Sequence, residues 1–176
     1  MPPGDYALSL DELETSILVT GDEDKDPAWD TKWRLELVQH LRVMVEQLWA
    51  EGFNEIYIDG SFATDQLRPG DIDGYFVAEK PKDILDSEFE DSLCKQLNKH
   101  DKNKAWSWKD EDRKKPAAAE KGQLPMWWHY HVEMWPEYGQ WSGQVHPATE
   151  EKLTHAQLFR ITKVGEDKGI IKLLKK

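Results

Sequence analysis

The chain has one cysteine, Cys94, in 176 residues, so no internal disulfide is open to it. In "SLCKQL" that thiol stands beside an apolar helix face and reads as core. Long apolar runs are missing: nothing approaches the roughly 20 residues that span a bilayer. The opening "MPPGDYALSLDELETS" has neither the basic stretch nor the apolar one of a signal peptide. These absences predict a cytoplasmic protein without membrane association. Positive charge is also scarce. Twenty-three Lys and Arg stand against 34 Asp and Glu, a formal net charge of −11, which argues against broad binding to duplex DNA, whose phosphates need clustered cations. No internal repeat or low-complexity tract occurs.

What is present fits one globular domain with a sizeable core: 39% of the residues are hydrophobic. The acidic balance suits an enzyme that uses a divalent metal, because the cation neutralises both the protein's carboxylates and an anionic substrate. Nine tryptophans are many for this length. Those in "AWSW", "MWWHYH" and "EMWPEYGQW" cluster in the second half, where some can flank a pocket for a flat ligand.

Ser9 and Glu12 form a capping-box pattern that predicts a helix through about Leu18, broken by "GDEDKDP". Asp30 is placed to cap a long amphipathic helix carrying Trp33, Leu37, Leu41, Val45 and Leu48 and stopping at Gly52. "NEIYIDG" and "DIDGYFVAE" alternate like strands. Behind Asp83, the spacing of Leu85, Phe89, Leu93 and Leu97 predicts another helix. Residues 101 to 125 carry seven of the basic residues with Pro and Gly breaks and read as a long loop. "WWHYHVEMW" reads as a third strand and "TEEKLTHAQLFRITK" as a last helix; "KGIIKLL" suits a strand or a helix equally. The expected class is α+β, a small mixed sheet flanked by helices.

The chemistry concentrates in "IDGSFATDQLRPGDIDGYF", residues 58 to 76. On a strand Asp71 and Asp73 point the same way while Ile72 points into the core. Two such carboxylates repel each other unless a cation lies between them, and Mg²⁺ or Mn²⁺ with oxygen ligands is the natural candidate. Gly60 lets the backbone turn and approach a ligand, and Ser61 offers a hydroxyl and an amide at an expected helix N-terminus suited to phosphate. Thr64 and Asp65 are placed to shape that turn.

An apolar strand, Gly-Ser, and then, beginning ten residues past the Ser, Asp-apolar-Asp in a second strand together resemble the signature of the minimal nucleotidyltransferase superfamily, the fold of polymerase beta and the aminoglycoside nucleotidyltransferases. More finely, "PPG", "IYIDGSFATD", "PGDIDGYF", "QLPMWWHYHVEMWPEYGQ" and "KGIIKL" look like a small bacterial and phage domain family of nucleotidyltransferase type whose biological role is largely unassigned. The resemblance implies a nucleotidyltransferase fold and transfer of NMP from a nucleoside triphosphate to a hydroxyl on an unidentified acceptor. It also implies a third carboxylate on a later strand, best matched by Glu133, so that Asp71, Asp73 and Glu133 are the expected catalytic and metal-binding set. Gly60, Ser61, Arg68 and His131 are the expected nucleotide-binding residues, with the lysines of 101 to 125 as further counter-ions for the triphosphate.

If residues 127 to 135 are extended throughout, His129, His131 and Glu133 share a face, and a zinc site made of the three is a rival reading. Trp106 and Trp108, interleaved with the loop's lysines, are candidate stacking surfaces for a base, and the loop is expected beside the carboxylates as a mobile boundary. A second functional class remains: a catalytically weak or inactive nucleotidyltransferase-like binding protein with a protein partner, in a toxin–antitoxin or antiphage system.

Overall fold

A computed structural model describes residues 1–22, 26–115 and 122–176. The chain opens on a strand, β1 (Gly4–Ser9). Ser9 then caps α1 (Leu10–Glu14) through the capping box with Glu12, and a further turn, α2 (Ile17–Thr20), ends at Gly21. The expected first helix is thus two short ones. Asp30 accepts from the Trp33 amide at 3.0 Å and opens α3 (Thr31–Ala50), whose buried stripe includes Leu37, Leu41, Val45 and Leu48.

Strands β2 (Ile56–Asp59) and β3 (Ile72–Val77) are joined by the Gly-Ser segment. Helix α4 (Asp86–Leu97) starts two residues later than a cap at Asp83 suggests, and leaves Leu85 exposed while Phe89, Leu93 and Leu97 are buried. "WWHYH" is not extended: Pro125 begins a helix, α5 (Pro125–Tyr130), which His131 ends in the left-handed conformation before β4 (Val132–Glu137). Proline at the first helical position loses no hydrogen bond there, which overrides the strand preference of the aromatic run. The last helix shrinks to α6 (His155–Leu158), and "KGIIKLL" resolves as β5 (Gly169–Leu174).

The five strands form one mixed sheet in the order β1-β5-β2-β3-β4, with β1–β5 and β3–β4 parallel and β5–β2 and β2–β3 antiparallel. One face carries Ile56, Ile58, Ile72, Phe76, Val132, Met134, Ile171 and Leu173, which join the apolar sides of α3 and α4 in one core. Alternation sends their neighbours to the other face. Along that second face run Tyr57 and Asp59, Asp73 and Tyr75, Glu133 and Trp135, in register across β2, β3 and β4. Among the described residues no helix is long and apolar enough to cross a membrane.

Candidate functional site

Asp59, the last residue of β2, pairs in register with Asp73, and Asp73 pairs with Glu133. Neighbouring strands lie about 4.8 Å apart, so this rung places three carboxylates side by side on one face. Asp71 stands one residue before β3 and shares the parity of Asp73. Its Oδ2 accepts from the Trp127 indole N–H at 2.9 Å. The sequence pattern singled out three of these acids. Asp59 was missed, although its alternation with Ile56 and Ile58 puts it on the same face.

The turn after Asp59 explains Gly60. Its φ is +76°, which side-chain-bearing residues rarely adopt, and a Cβ there would collide with the Asp73 carboxylate. Backbone and acid therefore touch closely. Ser61 starts a single 3₁₀ turn, Ser61–Ala63, shorter than the expected helix, and the Thr64 hydroxyl donates to the Ser61 carbonyl at 2.7 Å.

What holds this segment against α3 is Arg34, fully buried. Its guanidinium donates to the carbonyls of Leu18 (2.7 Å), Phe62 (2.8 Å), Thr64 (3.2 Å) and Gln66 and lies 3.8 Å from the Trp29 ring centre. Burial lowers its pKa to about 10, still charged at neutral pH. The Trp33 indole N–H adds a bond to the Pro69 carbonyl at 2.6 Å.

Burial raises the pKa of all four acids. Asp73 is raised furthest in kind, well above the carboxylate range, because the charges of Asp71, Glu133 and Asp59 add to its desolvation. Among the described residues two cations oppose this. Lys168 is ion-paired with Asp59, itself nearly enclosed, and Arg113 draws Glu133 down. Asp71 is drawn down by the Trp127 bond and by His131. The balance remains negative, and Oε1 of Glu133 is buried without a hydrogen-bond partner. A buried, unpaired carboxylate oxygen is costly unless something cationic meets it. Among the described residues no three His, Cys, Asp or Glu side chains already form a ready-made metal cage.

Residues 1–174 match the model of a family of unknown function, DUF6932. The chain belongs to that family. No curated protein and no solved structure matches it.

Other expected residues of this family member fall elsewhere. The Arg68 side chain is ion-paired with Asp30 and lies 4.5 Å from the Trp33 ring centre, at the start of α3. His131 does sit by Asp71, but its ring is wedged between Trp33 (5.1 Å) and Trp127 (4.7 Å), with Nδ1 buried and unpaired. Burial lowers its pKa. His129 is exposed on α5, so the same-face trio of His129, His131 and Glu133 does not exist and the zinc reading loses its geometry.

Residues 101–115 are also better fixed than their composition suggests. Trp106 and Trp108 are core residues, their indoles donating to Gln47 (2.6 Å) and the Met134 carbonyl (2.8 Å), so they offer no platform to a ligand. Asp101 accepts from the Ala105 amide at 2.7 Å and pairs with the Tyr130 hydroxyl. Arg113 lies close enough to Glu133 to act on its charge, whereas Lys109 pairs with Asp91. Lys121 lies outside the described residues. Cys94 is half-buried against the core, and burial pushes its thiol up to about 12, which makes it inert.

Proposed function

We propose that the chain is a metal-dependent nucleotidyltransferase of the polymerase beta-like fold, moving NMP from an NTP to a hydroxyl acceptor. The observation that carries this reading is the row of Asp59, Asp73 and Glu133 with Asp71 beside it, set against the glycine turn that leads to Ser61. A surplus of buried carboxylates is unfavourable for folding alone, so its presence argues for a ligand that needs it. The orphaned Oε1 of Glu133 and the all-oxygen donor set fit a hard divalent cation.

Asp71, Asp73 and Glu133 would hold Mg²⁺ or Mn²⁺. Bound there, the metal supplies positive charge to carboxylates and phosphates and acidifies an acceptor hydroxyl. Trp127 orients Asp71 through its indole N–H. Gly60 brings backbone close enough to Asp73 for the Ser61 hydroxyl and the turn amides to meet a phosphate tail. In the transfer, the acceptor oxygen bonds to the α-phosphorus as the bond to the β-phosphate breaks; pyrophosphate leaves, and the hydroxyl proton passes to water.

Titrating an NTP with Mg²⁺ or Mn²⁺ into wild type, Asp71→Asn and Asp73→Asn tests this. Loss of metal-dependent binding in both variants, with unfolding transitions retained, is the expected result; equal affinity in all three removes the reading. A binder without turnover is the second reading, favoured by Lys168, whose ammonium already neutralises Asp59. Nucleotide binding without pyrophosphate release across a panel of acceptors would select it.

A further inference from the structure

Beyond Glu133 the second face of the sheet opens into a cavity of about 570 Å³, lined among others by Trp135, Phe159, Arg113, Asp110 and Gln144. Its volume is in the range of small-molecule sites, roughly 300–1,000 Å³. We infer that this cavity seats the acceptor, and that the acceptor is a mononucleoside whose ribose hydroxyl is presented at Glu133. The inference rests on the nucleotidyltransferase reading and deepens it.

The aromatic wall comes first. Tyr57, Tyr75, Phe159, His155 and Trp135 form a file of near-parallel rings across the sheet, at centre distances of 4.9, 6.0, 6.5 and 5.0 Å and interplanar angles of 19°, 25°, 25° and 15°. Rings locked in such a file have already lost their rotamer freedom, so a flat base packing at its Trp135 end, beside the Arg113 guanidinium 5.9 Å from that ring centre, adds little ordering cost. Trp135 and Phe159 are the members that are only partly buried and reach the cavity.

Charge then decides which reactant sits here. Among the described lining residues Arg113 is the one Lys or Arg, and it already donates to Asp110 at 3.0 Å and to the Gly122 carbonyl at 3.2 Å. With Asp110 and Glu133 also present, the lining is not cationic. A triphosphate would bring several negative charges with only the already engaged Arg113 to meet them, whereas a neutral or singly charged nucleoside meets little of that penalty. The triphosphate belongs on the opposite flank of Asp73, at the Gly60–Ser61 turn. Gln123, Ser142 and Gln144 add amide and hydroxyl groups able to read a base edge. A long polyanion is disfavoured by the chain's net charge of −11.

In the step implied, the ribose oxygen bonds to the α-phosphorus of the NTP, the bond to the β-phosphate breaks, pyrophosphate departs, and the hydroxyl proton goes to water. The test titrates adenosine, guanosine, cytidine and uridine, and their 5′-monophosphates, into the full chain with Mn²⁺, alone and with saturating NTP. One nucleoside is expected to bind in either condition and to take label from an α-labelled NTP. Trp135→Leu should weaken it about tenfold or more. Because Trp135 also packs on the core, Gln144→Ala at an exposed position serves as the second variant, with an expected loss of about threefold. Failure of every nucleoside to bind while NTP binding stays intact overturns the acceptor class and leaves the transfer reading standing. So does competition by NTP, which would place the NTP base in the cavity, or binding of a short RNA with a free 3′ end where mononucleosides fail. A bound nucleoside that never takes label overturns its role as acceptor. Absence of metal-dependent NTP binding overturns both proposals.

Discussion

Asp73 faces Asp59 across the β2–β3 ladder, and among the described residues the cation that eases both charges is the Lys168 ammonium, which is paired to Asp59. Like charges opposite each other destabilise a sheet, so the fold carries this pair at a cost, and the cost is measurable.

Asp73→Asn is therefore expected to stabilise the metal-free protein at pH 7, on the order of 1 kcal/mol, as relief of a strained functional site commonly does. The sign follows from the raised carboxyl pKa of Asp73: the folded state takes up its proton before the unfolded chain does. The stability so gained is fully present below the unfolded value near 4 and is lost as pH rises through the folded one. The advantage of the variant should accordingly shrink as pH falls toward 4. Urea unfolding of both proteins from pH 7 to pH 4 measures the difference directly, and an Asn variant less stable at pH 7 contradicts it. Added Mg²⁺ or Mn²⁺ should stabilise wild type, by about 2.7 kcal/mol at a hundred times its Kd, and leave the variant unmoved.

Gly60→Ala meets two obstacles at once, a φ of +76° and the Asp73 carboxylate in the space of the new Cβ. The backbone strain costs about 1–3 kcal/mol. Displacement of Asp73 should remove metal-dependent nucleotide binding outright. Melting temperature and nucleotide titration together check this: a variant that melts lower yet binds normally shows that the close approach does not matter to the site.

Much of this arrangement was legible in the sequence because it is local. Alternation around Ile72 fixed the shared face of Asp71 and Asp73, Asp30 announced the start of α3, and Glu133 lies on a strand despite the helix before it. What escaped notice depends on distant partners. Lys168 reaches Asp59 across 109 residues, and β1 exists because β5, at the other end of the chain, pairs with it. The aromatic run "WWHYH" favoured a strand by side-chain type, but Pro125 and the left-handed His131 fix a helix there. Trp106 and Trp108 looked like ligand platforms beside lysines, yet their N–H partners lie in the core.

Arg34 shows the same limit from inside a helix. It occupies the apolar stripe of α3, three residues before Leu37, and only the fold reveals four carbonyls waiting for it. Arg34→Met keeps much of the volume and strands those acceptors, at an expected cost of about 3–5 kcal/mol. Arg34→Lys, with three donors on one nitrogen, should recover part of it but not all. The segment from Phe62 to Gln66 should loosen before the sheet does, which amide hydrogen exchange resolves by residue. Uniform exchange across the chain in Arg34→Lys would mean that Arg34 supports the whole core rather than the turn.

His155 stacks on Trp135 at 5.0 Å and contacts Gln140 through Nδ1 at 3.3 Å. Burial pushes its pKa down to about 4, with the Glu137 charge opposing, and the ring is only 7% exposed. The unfolded chain takes up a proton near the ordinary value of about 6.5, whereas the folded state resists until about 4. Stability is therefore constant above that upper value and falls as pH drops through the interval, by about 3 kcal/mol at about 1.4 kcal/mol per pH unit. This slope runs opposite to the one contributed by Asp73, and the two separate by mutation. His155→Phe keeps a flat ring against Trp135 and removes the titration, so its stability should hold between pH 6.5 and 4 where wild type declines. Parallel declines in the two proteins would show that His155 is protonated in the folded state and that its place in the ring file is not as dry as its burial indicates.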